Sequence, residues 1–141
     1  MHTDTLGALD AFLQDWTADP LNAKAAFSEY RAALAACADV SLTFKSRPGV
    51  SHSLRARHAA QHDRELFVLV DVVDDDPAER WLSVCFYDDM VTDPDDKGDM
   101  VPGGLMGEDA RCFNLEADDS AMRAYIRARL EEAAANAGRG R

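Results

Sequence analysis

The sequence predicts an α+β domain: an antiparallel sheet of about five strands, with two helices before it and one after it, in the order α-α-β-β-β-β-loop-β-α. Three observations lead to that class. Residues 66–73 and 80–87 are runs rich in β-branched and aromatic side chains, separated by Asp74, Asp75, Asp76 and Pro77; such a pair reads as two antiparallel strands joined by a short loop. Residues 40–45 alternate strictly between apolar and polar, the pattern of a half-buried strand. Apolar residues recur at helical spacing near both ends of the chain, and helices segregated from strands give the α+β arrangement. Because the two central runs are apolar at successive positions, they are expected to be covered on both sides or almost wholly buried.

The first helix is expected from about Asp4 to Thr17, with Leu6, Leu9, Leu13 and Trp16 on one stripe and Thr3 to Thr5 as N-cap side chains. Asp19-Pro20 reads as a cap followed by proline at the first helical position. The second helix then runs to about Ala38, burying Phe27, Tyr30, Leu34 and Cys37. In the first alternating strand Val40, Leu42 and Phe44 share one face and Ser41, Thr43 and Lys45 the other. After a turn at Arg47-Pro48-Gly49, residues 50–58 alternate again, placing Ser51, Ser53, Arg55 and Arg57 opposite Val50, His52, Leu54, Ala56 and His58. The central hairpin follows, then a long polar loop and an edge strand over residues 110–115. Asp118, Asp119 or Ser120 caps a last helix to about Ala137, with Met122, Ile126, Leu130 and Ala133 inward.

A chain of 141 residues with 47% hydrophobic and 29% charged residues has the size and composition of one globular domain with a single core. The domain is expected over residues 1–137, with a frayed basic tail over 138–141. No apolar run approaches the roughly 18 residues that cross a bilayer, and the first residues lack the cationic region of a secretory leader. Cys37, Cys85 and Cys112 are odd in number and widely spaced, with no Cys-x-x-Cys pair; free buried thiols in a reducing cytoplasm are the expectation.

The formal charge is −11. That balance opposes nucleic acid and anionic membrane as general partners, because binding either requires cationic contact and counterion release. The charge is also segregated. Residues 40–64 hold Lys45, Arg47, Arg55, Arg57 and Arg64 against Asp63 alone, whereas residues 71–119 hold sixteen acidic residues against three basic ones. Either Arg55 and Arg57 are compensated across strands by carboxylates such as Asp71, or Lys45, Arg47, Arg55 and Arg57, beside the hydroxyls of Ser41, Thr43, Ser51 and Ser53, form a face that holds phosphate or carboxylate.

Residues 88–109 are too long for an ordinary hairpin loop and crowd eight carboxylates around Lys97. Asp93-x-Asp95-x-Lys97-Gly98-Asp99 partly matches a calcium loop, with oxygen donors at alternate positions before a turn glycine. Lys97 and Gly104 stand where further acidic ligands belong, and no helix leads in. Asp93, Asp95, Asp96 and Asp99 are therefore the candidate ligands of an irregular Ca²⁺ or Mg²⁺ site, set against the usual fate of a charge run, a solvated surface. Pro102-Gly103-Gly104 lacks the cations and following helix of a phosphate loop. The three cysteines read as inert packing residues, with Cys85 among the most buried. No Ser-His-Asp, His-x-x-x-His or paired-carboxylate motif stands out. Trp81 and Tyr87 could anchor a partner or homodimer, though packing against a helix fits them better. The expectation is a cytoplasmic, non-enzymatic module that binds a small ligand or a protein. The alternative is a small divalent-cation enzyme acting on an anionic substrate held by Arg55 and Arg57.

Overall fold

Alternation along each strand decides which side chains meet the helices. In a computed structural model describing residues 2–141, with side chains described from residue 6 onward, Val40–Arg47 (β1), Ser51–His58 (β2), Val68–Val73 (β3), Trp81–Tyr87 (β4), Asp99–Leu105 (β5) and Glu108–Leu115 (β6) form one sheet. Its order is β1-β2-β3-β4-β6-β5 and every pairing is antiparallel. The helices are His2–Asp15 (α1), Ala23–Ala35 (α2) and Ser120–Gly138 (α3), and a single 3-10 turn spans Asp88–Met90. The α+β class and element order are as expected, with six strands among the described residues instead of about five.

The additional strand comes out of the acidic segment. Residues 88–109 are not one loop: β5 and β6 form a hairpin closed by Met106 and Gly107, whose φ values of 52° and 82° are both positive. Two left-handed central residues make the turn that matches strand twist, and the usual sign of it is Asn-Gly or Asp-Gly. Here Met-Gly does the work, while Pro102-Gly103-Gly104 interrupts the register between Val101 and Leu105. Proline is tolerated because β5 is an edge strand.

The helix ends also differ in detail. Asp19 does cap α2, but its two carboxylate oxygens reach Ala23 N–H at 2.8 Å and Lys24 N–H at 3.1 Å, across a turn in which Asn22 is left-handed at φ 55°. Pro20 lies in that turn, not at the first helical position. Asp119 caps α3 by accepting from Met122 N–H at 3.0 Å. The chain after α3 folds back, with Arg141 N–H donating to the Asn136 carbonyl. The expected Thr3 to Thr5 cap lies outside the described side chains.

The core is one-sided. Phe44, Leu54, Val68, Val70, Val72, Leu82, Val84, Phe86 and Phe113 are buried together with Leu9, Phe12, Trp16, Phe27, Tyr30, Leu34, Ile126 and Leu130 of the helices. The intervening strand positions, Leu69, Asp71, Val73, Trp81, Ser83 and Cys85, are only partly buried. The central strands were expected to be covered on both sides or almost wholly buried; the helices cover one face and the other is partly buried. Among the described residues no helix is long and apolar enough to cross a membrane.

Candidate functional site

The register places the uncovered positions in straight rows across the sheet, because directly paired residues point to the same side. One row reads Lys45, Ser53, Asp71, Ser83, Asn114 over β1, β2, β3, β4 and β6. The next reads Thr43, Arg55, Leu69, Cys85, Cys112, Asp99 over all six strands. Arg47, Ser51, Val73 and Trp81 form a third on the other side of the Asp71 row. The alternation of β1 and β2 thus brings Lys45, Arg47, Arg55 and Arg57 onto one face with the hydroxyls of Ser41, Thr43, Ser51 and Ser53, as expected.

These four cations form no ion pair with the described residues. Arg31, Arg64, Arg80, Arg111, Arg123, Arg127 and Arg129 are all within ion-pair distance of carboxylates. Arg55 makes only a long hydrogen bond, Nε to Ser53 Oγ at 3.4 Å. Asp71 forms no ion pair with these cations among the described residues: it lies opposite Ser53 and Ser83, diagonal to Arg55, and feels Arg55 and Arg47 only through their field. A cavity of about 440 Å³ opens here, lined by Ser41, Thr43, Arg55, Ala56, Arg57, Glu65 and Leu66. Guanidiniums beside hydroxyls, with the apolar Leu66 in the lining, suit an anionic group attached to a less polar body.

Asp71, expected from sequence as a cross-strand partner of Arg55 and Arg57, lies mid-strand on this face. Burial pushes its carboxyl above the ordinary range, and the Ser53 side chain, Arg55 and Arg47 only partly offset that. Its Oδ1 is buried without a hydrogen-bond partner among the described residues. An unmet buried acceptor costs on the order of 1–3 kcal/mol unless solvent or a ligand meets it. Alternation puts Leu69, Asp71 and Val73 on this face, and register sets Asp71 beside Ser53 and Ser83.

The cysteines depart from expectation. Cys85 and Cys112 are directly opposed in β4 and β6 and form a disulfide. Both are half-exposed on the uncovered face. Neither is an inert core thiol, and the cysteine count no longer argues for a reducing compartment. Cys37 alone is free, its thiol donating to the Ala33 carbonyl. Trp81 is half-buried on the same uncovered face, not packed against a helix, while Tyr87 is buried beneath the Arg64 guanidinium, 4.0 Å from its ring centroid.

The four aspartates proposed as metal ligands are dispersed. Asp93 organises its own segment: Oδ1 accepts from Lys97 N–H at 2.9 Å, Oδ2 from Gly98 N–H at 2.9 Å and Arg111 at 3.3 Å, and the Tyr125 hydroxyl also donates to it. Burial alone raises its pKa, but these donors outweigh burial and hold the carboxyl at about 2. Asp95 and Asp96 are exposed in the turn that follows, and Asp99 lies in β5 opposite Cys112. Among the described residues no three His, Cys, Asp or Glu side chains are grouped to share a metal ion.

One chemical constellation was not visible as a motif. Ser46 Oγ lies 2.8 Å from His52 Nδ1, and His52 Nε2 lies 2.9 Å from Asp74 Oδ2. Asp74 also accepts from Gly49 N–H at 3.0 Å and Arg80 at 2.7 Å. Burial opposes its ionisation, yet these donors keep it ionised with a pKa of about 2. An ionised carboxylate can only accept, so His52 Nε2 donates to Asp74. The serine–histidine–aspartate order resembles a nucleophilic relay, with His52 stacked beneath Phe12 at 4.1 Å and Ser46 exposed at the end of β1. Its evident effect is to tie the β1–β2 turn to the end of β3. The three residues are separated by 6 and 22 positions, so only strand register brings them together.

No protein-family model, curated protein or solved structure matches this chain.

Proposed function

We propose that this protein is a non-enzymatic binding module that takes an anionic small molecule on the uncovered face of its sheet. The observation that carries the reading is the set of four cations, Lys45, Arg47, Arg55 and Arg57, without ion pairs among the described residues, on one face of a chain with a charge of −11. Carboxylates are abundant, and most other arginines are matched to them. Cations held apart from that supply, on a face no helix covers, are suited to a phosphate or carboxylate from outside the chain. Arg55 and Arg57 stand at the 440 Å³ cavity, where their planar forks grip paired oxygens while Ser41 and Thr43 donate hydroxyl hydrogen bonds. Leu66 gives the lining an apolar member, and Glu65 disfavours a ligand carrying negative charge throughout.

Backbone amide chemical shifts followed during titration with inorganic phosphate, a nucleotide, a sugar phosphate and a small dicarboxylate test this directly. Saturable shifts confined to β1, β2 and residues 65–66 are expected, abolished by Arg55→Ala with Arg57→Ala. Absence of any saturable shift at millimolar ligand overturns the reading.

A further inference from the structure

We propose that the Cys85–Cys112 pair is an exchangeable disulfide, at which low-molecular-weight thiols attach reversibly to Cys112 without unfolding the protein. The inference does not depend on the anion-binding reading. Three observations carry it. The bond lies on the face no helix covers, with both cysteines half-buried rather than buried, so a small thiol can approach from that side. It joins two residues already paired in register, and five further pairs of the β4–β6 ladder hold the strands together without it. Breaking the S–S bond therefore leaves the hydrogen-bonded sheet intact.

The third observation gives the exchange a direction. Ser83 Oγ lies 3.7 Å from Cys85 Sγ, and its hydroxyl can donate to a thiolate there. Across the row, Leu69 separates Cys85 from Arg55 on β2, and Asp71 lies in the adjacent row opposite Ser83. Cys112 faces the opposite way, paired with Asp99 of β5, whose carboxylate disfavours negative charge on its neighbour. The better leaving thiolate departs faster in thiol–disulfide exchange, and that thiolate is Cys85.

The incoming thiolate attacks Cys112 Sγ, and a new S–S bond forms as the Cys85–Cys112 bond breaks. The bonding pair leaves on Cys85, which then takes up a proton. A second small thiol, as its thiolate, attacks the sulfur of the bound thiol. It releases the small disulfide and leaves Cys112 as a thiol. Overall one protein disulfide and two small thiols give a protein dithiol and one small disulfide, a two-electron reduction of the protein that reverses when the small disulfide is in excess.

The test uses the full chain with Cys37→Ser, so that only this pair reacts. The protein is equilibrated without denaturant in buffers of β-mercaptoethanol and its disulfide at graded ratios, quenched in acid, and its thiols are alkylated and counted by mass. The expected result is a smooth, reversible passage between disulfide and dithiol with unchanged near-ultraviolet circular dichroism. At early times the trapped β-mercaptoethanol adduct should map to Cys112 over Cys85 by several-fold, and Ser83→Ala should narrow that preference. The proposal is overturned if the bond persists in excess thiol until denaturant is added, if opening abolishes the near-ultraviolet signal, or if the early adduct maps chiefly to Cys85.

Discussion

Asp71 and Asp74 are three positions apart on the same stretch of chain and face opposite sides of the sheet. Asp74 sits at the end of the helix-covered side, where Gly49 N–H, Arg80 and His52 converge on its oxygens and hold its pKa near 2. Asp71 sits mid-strand on the uncovered side, where burial raises its pKa and one oxygen has no partner. The two faces are built on different terms. On the covered face the buried Asp74 is matched by donors from the chain itself. The uncovered face combines a carboxylate oxygen unmet and four cations unpaired among the described residues with a disulfide. A face optimised for stability would not leave those groups unmatched.

The comparison breaks most visibly if core truncations fail to distinguish the faces. Phe86→Ala, on the covered side and fully buried, should lower unfolding free energy by about 3–5 kcal/mol, the usual cost of deleting a buried aromatic ring. Leu69→Ala, half-exposed on the other side, should lose under about 2 kcal/mol, since part of its surface already meets water. Equal losses in urea denaturation would mean that something covers both faces.

Asp74 and Asp71 sharpen it through pH. Asp74 has its folded pKa depressed from 3.8 to about 2, so its contribution is fully present above pH ~4 and is lost as pH falls toward 2. The shift corresponds to about 2 kcal/mol. Comparing Asp74→Asn with the parent chain in urea melts at several pH values should show that gap closing on acidification. Asp71 runs the other way. Its raised pKa means the folded state holds the proton more tightly, so its contribution is present below pH ~3.8 and lost as pH rises through the folded value. Asp71→Asn should therefore stabilise the protein at neutral pH, by about 1 kcal/mol. The gain should vanish in acid. A destabilising Asp71→Asn at neutral pH would place an unrecognised donor on that oxygen.

How far this was legible in sequence follows from which signals are local. The period-two pattern of residues 40–58 placed Ser51, Ser53, Arg55 and Arg57 on one side, and the structure keeps them there. Alternation is a property of one strand, so it survives folding. The β5–β6 hairpin was hidden because its turn is Met106-Gly107 and its strand carries proline and two glycines. The disulfide and the Ser46–His52–Asp74 chain depend on which strands become neighbours and in what register, and spacing in sequence does not encode either. The one-sided cover was missed for a related reason: Leu69, Val73 and Trp81 look like core in a linear reading, although half of each is left to solvent or to a ligand.

The smallest expected change in stability carries the most functional information. Arg55 is half-buried, makes one long hydrogen bond and has no ion pair among the described residues, so Arg55→Ala should alter unfolding free energy by no more than about 0.5 kcal/mol. A structural arginine behaves differently. Arg80→Ala would strand the buried Asp74 carboxylate and cost about 3 kcal/mol or more, because breaking one side of a buried pair leaves an uncompensated charge. If Arg55 is retained for a ligand, its removal should leave the melt unchanged while abolishing the saturable amide shifts produced by phosphate or carboxylate. If Arg55→Ala destabilises the chain as strongly as Arg80→Ala, Arg55 serves the fold through its field on Asp71, and the uncovered face loses its distinguishing feature.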